Sequence, residues 1–190
     1  MGKVKDKLID WKNRLKDRHM LSIIVVLVTI LIILGLYTYK KQRDFRQASE
    51  NSYNMAFFEL VDYVQNVETY LAKSLISSSA VQGAESLTNV WREANLAGAY
   101  LAQLPIDSNE LEKTSKFLNQ VSDYSYSLSR KNIKGEKLSE DDMNNLESLH
   151  QYSVELENTL NQLSMDLNEG KIKWGELNKK GSAVFATQTS

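Results

Sequence analysis

The side chains in this sequence best suited to proton transfer or metal binding are the acidic run Glu140, Asp141 and Asp142 and the pair Glu155 and Glu157. Two carboxylates act as acid and base on a bond only when they face one cleft at a controlled separation. The run falls in the first turn of a predicted helix, where negative charge complements the helix dipole. Glu155 and Glu157 stand two positions apart on the same helix and point in different directions. Solvated helix faces explain both groups better than an active site does. The two histidines, His19 and His150, are far apart in the chain, and a lone helical histidine is more often an ordinary residue than a ligand. With no cysteine there is no thiol nucleophile, disulfide, lipid-attachment cysteine or cysteine-based zinc pattern. No G-x-S-x-G, P-loop or G-x-G-x-x-G run occurs, and "HQYS" lacks a nucleophile context. The expectation is a chain that is not an enzyme and needs no cofactor or metal.

What the elements position is therefore a surface rather than a reaction. One proline and eight glycines in 190 residues point to long helices. The stretch "MLSIIVVLVTILIILGLYTYKK" is uncharged from Leu21 to Tyr37. As a helix, Leu21 to Tyr39 would span about 28 Å, close to the ~30 Å hydrocarbon core of a bilayer. It exceeds the ~7–15 apolar residues of a cleaved signal and lacks an A-x-A site. The expected anchor residues are Leu21, Ile24, Val28, Leu31, Leu34, Tyr37 and Tyr39. The two tyrosines suit the interfacial belt, and Lys40, Lys41, Arg43 and Arg46 can reach headgroups. The predicted partner of this segment is the lipid bilayer.

Charge sets a direction for that anchor. Residues 1–39 carry seven Lys/Arg against three Asp, leaving 16 basic and 21 acidic side chains in 40–190. The positive-inside bias favours a cytoplasmic N-terminus. The acidic remainder has no nucleic-acid footprint. Val4, Leu8, Trp11 and Leu15 give residues 1–19 an amphipathic basic pattern suited to an anionic membrane surface.

Four helical patterns follow the anchor. The first, over 44–77, places Tyr53, Phe57, Leu60, Val64, Val67, Leu71 and Leu75 on one stripe and can continue straight from the membrane helix. "SSSAVQG" reads as a loop. The second, over 86–104, puts Leu87, Val90, Trp91, Ala94, Ala97, Leu101 and Leu104 inward and stops before Pro105. The third, over 108–132, turns Leu111, Thr114, Leu118, Val121, Leu128 and either Tyr124 or Ser125 inward. The fourth has the clearest start, with Ser139 as N-cap, Asp142 closing a capping box and Leu138 and Met143 forming a staple; Gly170 is its expected C-terminal cap.

The fold class is thus all-α: a single transmembrane helix followed by an antiparallel four-helix bundle-like ectodomain. The expected organisation is 1–19 basic cytoplasmic segment, 20–39 transmembrane helix, 40–170 extracytoplasmic bundle, and 171–190 a tail leading to a further C-terminal region. Narrow seams leave homo-oligomerisation open. Arg92, Tyr126 and Trp174 are the candidate partner-interface residues, because Trp, Tyr and Arg dominate protein interfaces.

In order, "VWREANLAGAYLAQLPID", "FLNQVSDYSYSLSRKNIKGEKLSEDDMNNLESLHQYSVELENTL" and "GKIKWGELN" resemble the N-terminal half of the YpeB family of spore germination proteins. The resemblance implies the inner spore membrane, with the helical domain facing the cortex. It also implies a SleB-type cortex-lytic transglycosylase as partner, held, stabilised and restrained by the family. Family members are expected to continue into PepSY-type repeats, and the basic N-terminal stretch is longer than the family leads one to expect. Two alternatives fit the residues alone: an extracytoplasmic helical-bundle sensor, which one spanning run serves poorly, and a structural scaffold of the spore membrane.

Overall fold

The computed structural model describes the backbone of residues 2–175 and 177, and the side chains of 22–109, 111–175 and 177. Among the described residues it is all helix, in the order α1 (Gly2–Leu75), α2 (Ala80–Leu101), α3 (Ser108–Ile133) and α4 (Glu140–Asn168). The chain divides into two compact units, Met1–Ser49 and Glu50–Ser190.

In the first unit, the apolar stretch of α1 exposes its side chains throughout, from Ile23 at 60% to Tyr39 at 69%. A helix this apolar with nothing covering it is suited to hydrocarbon rather than water. Its threonine hydroxyls are satisfied within the helix, as suits an apolar surrounding: Thr29 Oγ1 donates to the Val25 carbonyl at 2.8 Å and Thr38 Oγ1 to that of Leu34 at 2.9 Å.

In the second unit, the stripe expected on α1 is the stripe that is buried. Phe57, Leu60, Val64, Val67 and Leu71 lie at 0–1% exposure, with Tyr53 and Leu75 half-buried at its ends. It lines two core clusters, each of which draws on all four helices. One gathers Phe57, Leu60 and Val64 with Ala97, Leu101, Leu118, Leu156 and Leu160. The other gathers Val67 and Leu71 with Leu87, Val90, Val121, Leu128 and Leu146. Each Val, Leu or Phe side chain among them contributes about 1.5–3 kcal/mol on burial. Polar and aromatic pairs show how neighbours run. Thr88 meets Ser129, Trp91 meets Tyr126 and Asn95 meets Ser122, so numbers rise on α2 as they fall on α3. That is the sense of two antiparallel helices.

Two boundaries differ from those read in the sequence. The loop assigned to "SSSAVQG" is shorter, because Ser79 caps α2 by accepting from the Gln82 amide at 3.2 Å and the helix starts at Ala80. Gly83 is not a breaker there. An added Cβ would lie 2.6 Å from Asn132 Nδ2, so glycine permits a close approach of α3. At the other end α2 stops at Leu101, not Leu104. The chain tightens through Gln103 N–H to Tyr100 O and Leu104 N–H to Leu101 O, and Pro105 bars any continuation. Leu104 and Ile106 remain buried under that turn.

The capping box on α4 forms as expected. Ser139 Oγ accepts from the Asp142 amide at 3.1 Å, and Asp142 Oδ2 accepts from the Ser139 amide at 3.0 Å. Asp142 also takes both of its oxygens to Lys131 Nζ, at 3.0 and 2.8 Å, and receives the Tyr124 hydroxyl at 3.2 Å. The Lys131 ammonium foremost, then the Ser139 donors and Tyr124, hold the carboxyl at about 2, below its ordinary 3.8, against burial that pushes it up. Gly135 and Gly170 end α3 and α4 with φ of 77° and 69°, the left-handed conformation glycine tolerates.

Trp174, in the tail, packs onto the bundle. It is 4% exposed, lies 5.7 Å from the Phe57 ring and donates to Asn54 Oδ1 at 2.6 Å.

Three outcomes test this account by thermal and urea unfolding of the full chain in detergent. Asp142 is depressed on folding, so its contribution is complete above about pH 4 and is lost as pH falls towards 2. Asp142→Asn should therefore cost about 1–2 kcal/mol at pH 6 and almost nothing extra at pH 2. Trp174→Ala should cost roughly 3–5 kcal/mol and Trp174→Phe distinctly less. Ser125, 0% exposed with no hydrogen-bond partner for its Oγ among the described residues, should stabilise the bundle by about 1 kcal/mol as Ser125→Ala.

Candidate interaction surfaces

The charged side chains are engaged in structure or spread out. Glu140 and Asp141 are exposed in the first turn of α4, and Asp142 is consumed by the cap. Glu155 is exposed and Glu157 half-buried. His150 Nε2 sits 2.8 Å from Glu68 Oε1 and joins α4 to α1. Among the described residues no group of three or more His, Asp or Glu could hold a metal ion. One buried carboxylate went unnoticed in the sequence. Glu93 is 5% exposed, and Arg92 binds its Oε1 through Nε at 3.0 Å and Nη2 at 2.7 Å while Asn66 Nδ2 donates to Oε2 at 3.2 Å. A buried carboxylate survives only with such partners.

The expected interface residues separate. Tyr126 is 47% exposed and lies against Trp91, ring centroids 5.5 Å apart. Trp91, read as core, is 39% exposed: it follows Val90, which takes the centre of the stripe at 0%. Arg92 is on the same helix, its guanidinium already tied to Glu93. Beneath the Trp91–Tyr126 pair, the α2–α3 seam is stitched by Asn95 Nδ2 to Ser122 Oγ at 2.7 Å and Thr88 to Ser129 at 2.8 Å. Trp174 stands elsewhere, its ring occupied by Tyr53, Phe57 and Asn54.

A second aromatic contact, between exposed Tyr152 and half-buried Phe117, was not singled out in the sequence. Tyr152 is 55% exposed and lies 5.9 Å from Phe117 across the α3–α4 seam. The signal was faint, an aromatic one position before the seam residue Ser153. Beside it runs a groove of about 540 Å³, lined by Tyr124, Asn145, Leu149 and Tyr152 among others. A separate hollow of about 630 Å³ lies at the α2–α3 turn over Leu101, Leu104 and Leu111.

Of the residues expected to anchor the chain, Ile24, Val28, Leu31, Leu34, Tyr37 and Tyr39 are all exposed, between 49% and 69%. The side chain of Leu21 lies outside the described residues, as do those of residues 1–19. Among the described residues one helix is long and apolar enough to cross a membrane.

Known proteins account for this combination. The chain is similar to the sporulation protein YpeB of Halalkalibacterium halodurans, 29% identical over 164 residues that make up 85% of this chain and 37% of that protein. It is 25% identical over 155 residues to that of Bacillus subtilis, 80% of this chain and 34% of the relative. To that of Oceanobacillus iheyensis it is 21% identical over 154 residues, 81% and 34% respectively. The chain thus spans about a third of the length of the curated relatives it matches. No solved structure matches it. The family model described as YpeB N-terminal matches residues 41–176, the bundle and its entry from the apolar helix, and the chain belongs to that family.

Proposed function

We propose that this chain is the membrane tether and helical holding module of a sporulation protein whose task is to retain a SleB-type cortex-lytic transglycosylase at the inner spore membrane. In this reading residues 1–19 are cytoplasmic, α1 crosses the membrane once, and the bundle faces the cortex. The bundle has no catalytic part. It binds the lytic enzyme, protects it and restrains it until germination.

The observation that carries the reading is the family match over 41–176 directly after an uncovered apolar helix. The charge bias around that helix supports the direction. The exposed Trp91, Tyr126 and Tyr152 on the bundle support a protein partner, since aromatic side chains supply much of the energy of protein interfaces. Tethering confines the enzyme to a thin shell and raises its effective concentration at the cortex without requiring tight binding.

Spores whose copy of this protein lacks residues 40–190 but keeps the apolar helix should lose the lytic enzyme about tenfold or more by immunoblot. Cortex hydrolysis on germination should fall with it. Unchanged enzyme levels in those spores would overturn the reading, and a helix misplaced in the membrane is recognised by its absence from the membrane fraction.

A further inference from the structure

Two aromatic contacts reach the surface, Trp91–Tyr126 on the α2–α3 seam and Phe117–Tyr152 on the α3–α4 seam, where only Tyr152 is exposed. Under Trp91 and Tyr126 the helices are laced together by hydrogen bonds between Asn95 and Ser122 and between Thr88 and Ser129. The α3–α4 seam is tied at one end by Tyr124 and Lys131 to Asp142, and beside Tyr152 it parts into a groove of about 540 Å³. Leu149, half-buried, is among its lining residues, and Tyr152 stands 55% exposed at its edge. Tyr124 forms a wall already fixed in place, its hydroxyl donating to Asp142 and accepting from Asn145 Nδ2 at 3.2 Å. A wall that needs no ordering costs less on binding.

Charge then selects the occupant. Residues 47–170 carry 19 acidic and 8 basic side chains. The imbalance is sharpest here: α4 has seven acidic side chains and no Lys or Arg, and α3 has none from Phe117 to Ser129. Asp123 lines the groove, and Glu155 is exposed one turn beyond Tyr152. Lys131, at the far end, is held by Asp142. Neither Asp123 nor Glu155 has an ion-pair partner among the described residues. A second copy of this bundle would bring like charge against like, and so would a lipid phosphate.

We infer that the α3–α4 groove docks a cationic segment of a protein partner, which lays an apolar side chain over Leu149 between Tyr124 and Tyr152 and points Lys or Arg at Asp123 and Glu155. The inference deepens the proposed function and rests on it, in that the partner is taken to be the lytic enzyme. Charge complementarity of this kind speeds encounter and selects partners, while the aromatic contact sets the lifetime of the complex.

The test is binding of the full chain in detergent to the SleB-type enzyme of the same organism, by biolayer interferometry. Tyr152→Ala should weaken binding about tenfold or more, Tyr152→Phe should restore most of it, and Val81→Ala, at an exposed apolar position on α2, should stay within about twofold of the unsubstituted chain. Asp123→Asn with Glu155→Gln should flatten the loss of affinity between roughly 0.05 and 0.3 M salt. Circular dichroism of each variant separates lost binding from lost folding. Native-strength binding by Tyr152→Ala overturns the inference, as does an equal loss in Val81→Ala or self-association of the chain that Tyr152→Ala abolishes. Should the unsubstituted chain fail to bind the enzyme, a synthetic amphipathic Lys/Leu helix and its Glu/Leu counterpart, titrated with NMR detection, keep the two ideas apart. Shifts at Leu149 and Tyr152 with the cationic peptide alone sustain the groove and remove the enzyme; no such shifts, or equal shifts with both peptides, remove the groove.

Discussion

The helical unit after the apolar segment depends on covering one stripe of α1. Phe57, Leu60, Val64, Val67 and Leu71 recur at three- and four-residue spacing and line both core clusters, and α2, α3 and α4 each bring an apolar face to them. None of these helices can bury that face alone. Removing the stripe from water ties the helices into one body, and its position along α1 sets the level at which every other helix is read. Even the tail obeys it, since Trp174 closes on Phe57.

Polar interactions do a different job. The Asp142 knot, the His150–Glu68 pair and the Trp174–Asn54 bond each join segments distant in sequence and sit at the edges of the clusters. Burial supplies most of the energy, and these directional contacts fix register and neighbour. Asp142 combines three duties in one carboxylate: it caps α4, pairs with Lys131 on α3 and holds Tyr124 in place. Its depressed pKa is the result of that crowding of donors. The acidic run, read in the sequence as a solvated helix face, is thus partly a splice between helices, with Asp142 buried.

Much of this was legible before any coordinates. Helix stripes, the Ser139–Asp142 box, the glycine cap at Gly170 and the apolar segment all arise from neighbours within four residues, where spacing and chemistry are read directly. The errors share a cause. Gly83 read as a loop residue because its reason for being small, Asn132, is 49 positions away. Trp91 read as core because periodicity cannot choose between adjacent residues, and Val90 had the better angle. Tyr152 escaped notice because exposure on one side of a seam depends on what the neighbouring helix places there, in this case Phe117.

The sequence by itself determined the all-helical class, the uncovered apolar segment and the strong acidity of the region that follows, because these depend on composition and on local period. Only the tertiary structure decided where the acidic and aromatic side chains meet. It buried Trp174, closed the seam under Trp91 and Tyr126, and left the α3–α4 seam open beside Tyr152. The physical reason is that a surface is made by pairs of helices. Which residues share a groove depends on contacts between positions tens of residues apart, such as Phe117 with Tyr152 and Tyr124 with Asp142, and no local spacing encodes them.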